Sequence, residues 1–423
     1  MRAVDSSRSR EGRFALVVAG MMTAATLGGW GAFAATDWPQ WRGPARDGVT
    51  ADLARTAWPA ALRPAWKVNV GVGHSAPVTA AGRAYLFSRE GEEETLQAFE
   101  LASGKRVWRQ AYAAPYTVNS AAFAHGPGPK ATPVVAGGRV FTFGISGVLS
   151  AYDAASGRVV WRKEFAKEFP STSPIYGAAQ SPVVDGGRVI VHVGGGGNGA
   201  LTAFDAATGA VVWAWKGEGP GYASPVVAEI AGTRQVVTFT ESLLVGVAAD
   251  TGRLLWKVPF TTEYTQNAVT PVVQGNLILF SGLDHPVQAL RVVASKGSGW
   301  TTQKVWENPD VALYMSSPVL AAGRLYGFSH KRKGQLFCLD AATGKTVWLS
   351  EGRQGENASL VVAGGVVLAL TTEGELLVLE AGGAAFKLLK KYMVADSPTW
   401  AHLAVVGDGV LVKDERSLAY LRF

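Results

Sequence analysis

In the run VVDGGRVIVHV (183–193), two apolar stretches flank an Asp-Gly-Gly turn, and ALTAFD (200–205) and AVVWAW (210–215) follow with the same short apolar rhythm. β-Branched and aromatic runs of this length, bounded by glycine-bearing turns, read as strands. With the Pro-Val that opens the run, they predict one four-stranded antiparallel unit. The spacing of an amphipathic helix is nearly absent from the whole chain.

The unit recurs. The phrase YDAASGRVVW (152–161) returns as FDAATGAVVW (204–213) and as LDAATGKTVW (339–348). A phrase repeated at tens of residues points to architecture before chemistry. Around it lies a longer unit: a small hydroxyl residue, Pro-Val, a Gly-Arg turn, two strands, then Asp, Ser/Thr-Gly and a Trp strand. Pro77, Pro133, Pro182, Pro225, Pro271, Pro318 and Pro398 open seven units, and Ser359-Leu360 opens another. Trp108, Trp161, Trp213, Trp256, Trp306 and Trp348 close six, and Phe386 is taken to close the seventh. The last unit stops at LAYLRF without a Trp strand, while RPAWKVNV (63–70), carrying Trp66, stands spare before Pro77. A ring closed by strands from both ends leaves no free sheet edge. The fold class is therefore all-β, an eight-bladed propeller of four-stranded antiparallel blades whose last blade an N-terminal strand completes. Asp153, Asp205 and Asp340 are expected to cap the turn, and each Trp to lie flat between neighbouring blades.

Composition narrows the class further. A chain of 423 residues with 51 glycines and 17% charged residues is turn-rich and globular. Arg2, Arg8, Arg10 and Arg13, then an apolar run from Phe14 to about Leu27, then Ala32-Phe33-Ala34, follow the order of a secretory leader. The run is glycine-bearing and short for a membrane span. The reading is a leader over 1–34, an extension over 35–62 that docks on the propeller's outer wall through Trp38, Trp41 and Arg42, and the propeller over 63–423, in a periplasmic or secreted monomer. The net charge of +7 is mild for this length, and no basic tract dense enough for nucleic acid appears. Cys338 stands alone, which excludes an intrachain disulfide.

The pattern Ala-x-Asp-x-x-Thr-Gly-x-x-x-Trp, as in 203–213, is similar to the tryptophan-docking motif of quinoprotein alcohol dehydrogenases and of the outer-membrane assembly lipoprotein BamB. DWPQWRGPARDGV (37–49) resembles the mature N-terminus of exported propellers of this PQQ-binding-like repeat family. The resemblance covers nearly all of 63–423 and implies the propeller. It implies quinone chemistry only where the dehydrogenases' adjacent cysteine pair and calcium ligands are present. The lone Cys338 cannot form that pair, so no cofactor, PQQ included, is expected. No cysteine follows the leader, so the lipid anchor of BamB is not expected either.

In a propeller, the loop leading into each innermost strand and the loop joining the second and third strands share the channel mouth. The first ring nominates His74, Lys130, Gln180, Tyr222, Asn267, Tyr314, Asn357 and Asp396. The second nominates Arg89, Asp284, His285, His330, Lys331 and Arg332, with Glu90, Glu241, Lys333, Glu373, Lys413 and Asp414 beside them. The run SHKRKGQLF (329–337) reads first as a solvated hairpin tip, with an anion cradle facing Lys130 across the channel as the functional alternative. A metal site from His74, His285, His330 and Asp396 lacks HxH or HExxH spacing, so no metal is expected. The glycine run VGGGGNGA (193–200) lacks the Lys-Ser/Thr of a phosphate loop and reads as a hairpin. The expected function is a binding or scaffold module of the cell envelope, with a protein or glycan partner and no nucleic acid. The alternative is an enzyme acting on a sugar or another small polar substrate at the channel.

Overall fold

The Pro-Val at Pro77, Pro133, Pro182, Pro225, Pro271 and Pro318 does start an innermost strand, and the reason lies in the residue before the proline. In the computed structural model, which describes residues 37–423 apart from 54, 56 and 296–298, these residues form a belt around a central channel. The Ala76 N–H donates to Thr132 Oγ1 (3.1 Å), Thr132 N–H to Ser181 Oγ (2.9 Å), Ser181 N–H to Ser224 Oγ (2.9 Å) and Thr270 N–H to Ser317 Oγ (3.0 Å). The innermost strand has a neighbour on one edge only, so its remaining backbone donors need partners from the adjacent blade. A short hydroxyl at this position supplies them.

The described residues form eight sheets, each built on four strands that follow from the channel outward, in sequence order in all but the last blade. Blade 3 shows the pattern: Val183–Asp185, Arg188–Gly195, Asn198–Asp205 and Val211–Lys216, all antiparallel. Its hairpin between Gly195 and Asn198 is the glycine run, as read. The last blade holds Ala404–Val406, Gly409–Lys413 and Ser417–Arg422 from the C-terminal side, and Arg63–Asn69 pairs antiparallel with Ser417–Arg422 as its outermost strand. The two ends of the chain thus close the ring. The expected leader lies outside the described residues. Among those described, no helix is long and apolar enough to cross a membrane.

The Trp of each phrase fastens one blade to the next. Trp213 lies against Gly252 of blade 4, where an added Cβ would come within 2.5 Å of the indole, and its Nε1–H donates to the Ala249 carbonyl (3.0 Å). Trp66, Trp108, Trp161 and Trp306 repeat this on Gly104, Gly157, Gly209 and Gly344, donating to Leu101, Ala154, Ala206 and Ala341. The glycine has φ of 71–73° at Gly209, Gly252 and Gly344. It therefore answers two demands at once, a left-handed turn and a flat seat for an indole. The aspartate before it caps the turn: Asp205 Oδ1 accepts from the Thr208 N–H (2.8 Å) and hydroxyl (2.7 Å), and Asp153 and Asp340 do likewise with Ser156 and Thr343. These bonds hold all three carboxyls below their usual range.

Two junctions depart from the phrase. Trp256 faces blade 5, which lacks the Asp-x-x-Thr-Gly turn, and donates to Gln235 Oε1 (2.7 Å) within its own blade. In blade 7 the position facing Val378, where other blades carry Trp, is Lys390. Phe386 lies four residues earlier and packs on Trp348 at 5.5 Å, so it does not close its blade as expected but covers its neighbour's Trp. Cys338 faces Trp348 across the strand pair and is fully buried, which pushes its thiol up to about 11.

The N-terminal segment corrects the sequence reading. It does not lie on the outer wall. Trp38 exchanges hydrogen bonds with Thr79 of blade 1, and Pro39 accepts from Val135 of blade 2. Arg46 donates to the carbonyls of Ser181, Pro182 (3.1 Å) and Pro225 (2.7 Å) in blades 3 and 4. Arg42 reaches Pro318 of blade 6, the Gly48 carbonyl accepts from Val362 of blade 7, and Trp41 packs on His402 of blade 8 at 4.2 Å. Val49–Thr50 then adds a fifth, parallel strand to the inner edge of blade 7. Residues 37–50 are a hub inside the ring, bonded or packed to seven of its blades.

Candidate functional site

The hub closes the channel from one side, and a cavity of about 160 Å³ lies above it. Its walls follow a simple register. The residue three before the proline is His74 in blade 1, Lys130 in blade 2, Ala179, Tyr222, Ala268 and Met315 in blades 3 to 6, and all six line the cavity. In blade 8 the inner strand begins at Ala404, so Leu403 holds the proline's place and Trp400 holds the lining place. Pro398, taken from the sequence as the opener of that blade, lies five residues upstream of it. Trp41 of the hub, Tyr176, Gln266, Tyr314 and the hydroxyls of Ser224, Thr270 and Ser317 complete the lining.

One side of the cavity is an aromatic cluster. His74 stacks on Trp400 (5.4 Å, 14° between planes), and His125 meets both edge to face at 5.5 and 4.9 Å. Opposite, Tyr176 meets Tyr222 edge to face at 5.6 Å, and Gln266 Nε2 donates to the Tyr176 hydroxyl (2.9 Å). Among the described lining residues, Lys130 brings the one side-chain charge that prevails at neutral pH. Its Nζ is shut off from solvent without a hydrogen-bond partner, and burial lowers its pKa to about 8. Burial and the Lys130 charge push His74 well below its ordinary value, and the same two causes lower His125. Two neutral imidazoles beside one ammonium are the result.

The structure brings His74, Lys130, Tyr222 and Tyr314 together and separates them from most of the other nominated residues. Gln180 and Asn267 point into the fold: Gln180 Nε2 donates to the Gly221 carbonyl (3.1 Å), and Asn267 Nδ2 to those of Thr240, Glu241 and Phe260. Arg89 is buried and staples its own hairpin, donating to Gly91, Ala114 and Glu92. Asp396 pairs with Lys67 at 3.0 Å. Asn357 lines a smaller cavity of about 50 Å³ beside Trp400 and His402. His285 donates to the Thr261 carbonyl (2.7 Å), and His330 Nε2 donates to Asp284 (3.1 Å) with Tyr314 at 6.4 Å.

The basic run does not face Lys130. Lys331 Nζ turns outward to the Pro309 carbonyl of blade 5, and Arg332 and Lys333 are exposed, in a tight turn with φ of 54° and 60°. It is an exposed hairpin tip, and the alternative of a cradle facing Lys130 across the channel does not form. Lys413, buried beside a neighbouring groove, donates to the carbonyls of Asp414 and Glu415.

Among the described residues, no Asp or Glu lines the channel cavity. The paired carboxylates of sugar hydrolysis therefore have no place in it. A calcium ion, which takes several carboxylate and carbonyl oxygens, finds no carboxylate there either. Among the described residues no group of three or more His, Cys, Asp or Glu is arranged to hold a metal. The donor set does not fit the quinone-and-calcium site of the dehydrogenases that the repeat resembles.

Belt, docked tryptophans and eight sheets, seven of four strands and one of five, define a tryptophan-docked β-propeller. The chain belongs to the repeat family described as outer membrane protein assembly factor BamB, which matches residues 92–350. BamB of Shewanella oneidensis is 28% identical over 232 residues, 52% of this chain and 56% of that protein. The chain thus spans about half the length of that curated relative. Among solved structures, quinohemoprotein alcohol dehydrogenase from Comamonas testosteroni superposes with a TM-score of 0.66 at 16% identity, covering 92% of this chain and 80% of that one. BamB from Moraxella catarrhalis does so with a TM-score of 0.59 at 15% identity, covering 86% and 100%. At these identities the two structures share the fold with this chain and nothing finer.

Proposed function

We propose that this chain is a binding and scaffold propeller of the cell envelope, periplasmic or secreted, that docks a protein partner on its channel mouth. Membership of the BamB family and the leader-like order of residues 1–34 support the location. One observation supports the surface. Phe123, Ile175 and Tyr264 are 69%, 51% and 64% exposed, and each sits on a different loop leading into an inner strand, of blades 2, 3 and 5. Those loops share the mouth. The basic turn 331–333 of blade 6 stands on the same face. Large apolar side chains held in water on one rim, with cations beside them, have the composition of a protein-docking surface.

The test places a photo-crosslinking residue at Phe123, Ile175 or Tyr264, and at Val211 on an outermost strand as control. Discrete protein adducts from the mouth positions and none from Val211 are expected in envelope extract. Adducts from Val211 alone, or equal smears from all four, would defeat the reading. Glycan retention without protein adducts would reassign the partner.

A further inference from the structure

Four residues that line the same cavity each carry a buried polar atom without a partner in the described structure: Trp41 Nε1, Lys130 Nζ, Thr270 Oγ1 and Gln266 Oε1. Buried donors and acceptors are satisfied in the great majority of proteins, so a cluster of unmet ones around one cavity marks a ligand's polar contacts. Three of the four can donate, and one is a cation. No carboxylate lines the cavity to neutralise it. Glu94, the acid whose charge reaches Lys130, is instead engaged by the Ile145 N–H (2.7 Å) and the Tyr112 hydroxyl. Apart from Ser224 and Ser317, whose hydroxyls accept from the belt's N–H groups, the rest of the wall is apolar or aromatic.

We propose that this cavity binds a small organic monocarboxylate, its oxygens held by the Lys130 ammonium and the Trp41 indole N–H, its carbon skeleton lying among Trp400 and the tyrosine rings. A charge-assisted bond to an ammonium in a site with little water is among the strongest polar contacts available to a carboxylate. His74 and His125 face Lys130 as neutral rings, so the site's positive charge rests on Lys130. The volume suits one ring or a short chain. Trp41 belongs to the hub, so the channel floor is supplied by the N-terminal segment. The proposal does not rest on the partner surface, whose residues line the rim.

The experiment titrates the full chain with benzoate, and with benzamide as its neutral counterpart, by calorimetry. Benzoate should saturate at micromolar to millimolar concentration and benzamide should not. Lys130→Met should weaken benzoate by about tenfold or more, and Trp41→Phe by a smaller factor. Lys130→Met removes an unpaired buried cation, so its melting temperature should equal or exceed that of the wild type. A readout on the unmutated protein runs beside it: benzoate, and not benzamide, should raise the melting temperature in proportion to its saturation of the site. Absence of saturable benzoate binding, equal binding of benzamide, binding unchanged in Lys130→Met, or no benzoate-specific rise in melting temperature would each overturn the assignment.

Discussion

Trp213 carries its blade junction through two independent contacts, an apolar face on Gly252 and an N–H on the Ala249 carbonyl. Trp213→Ala should therefore cost about 3–5 kcal/mol in denaturant unfolding, the range for deleting a buried aromatic. Gly209→Ala attacks a junction from the other side: φ is 73°, and the new Cβ would sit 2.8 Å from the Trp161 indole. More than about 1 kcal/mol of destabilisation is expected. His192 gives a pH signature. Its Nε2–H donates to the Glu218 carbonyl (2.8 Å), and burial keeps the ring neutral with a pKa of about 4, against 6.5 for an ordinary histidine. As pH falls from about 6.5 to about 4, the unfolded chain takes up a proton that the folded chain refuses, so stability falls by about 3 kcal/mol over that window. His402, lowered to about 3, acts in the same direction. Denaturant midpoints measured at neutral pH and near pH 4.5 should therefore converge in His192→Gln, which keeps a donor and loses the titration.

At the level of elements, the closing strand and the hub carry the sharpest expectations. Removing Arg63–Asn69 exposes the edge of Ser417–Arg422 and should give an aggregating product on gel filtration. Arg46→Ala would strip the carbonyls of Ser181, Pro182 and Pro225 of a buried cationic donor, at a cost of about 3 kcal/mol by thermal or chemical unfolding. The strands, their closure and the Trp fasteners were legible in the sequence because each rests on a local rule repeated several times: alternation, a capped turn, a glycine beneath an indole. The cavity was legible only in part. His74, Lys130 and Tyr222 fall on the lining register, but Gln180 and Asn267 were chosen for polarity where the register places Ala179 and Ala268. Polarity misled there because a side chain in a belt of backbone carbonyls is drawn inward to satisfy them. Trp400 was hidden by Pro398, which mimics a blade opener five residues too early. Trp41 was read onto the outer wall instead of the channel, since its contact, His402, lies far away in sequence.

At the scale of the whole molecule, the two faces of the ring differ. One is filled by the hub, and the other presents the cavity, the apolar rim and the basic turn. Replacing Lys331, Arg332 and Lys333 by serine should leave the melting temperature nearly unchanged, since exposed charges contribute little to folding. The same replacement should flatten the salt dependence of partner capture measured at low and moderate ionic strength. The hub also sets an order of events. Its hydrogen-bond partners are spread from Thr79 to Val362, and the strand that shuts the ring pairs with Ser417–Arg422. A ribosome delivers residues 37–50 before any of those partners exists. That early segment meets its last partners only when nearly the whole chain has been synthesised, and the blades cannot settle around a common centre until it takes its seat. A chain cut short before residue 417 would lack the strand that Arg63–Asn69 pairs with, and incomplete synthesis would leave an exposed β edge that quality-control proteases can recognise.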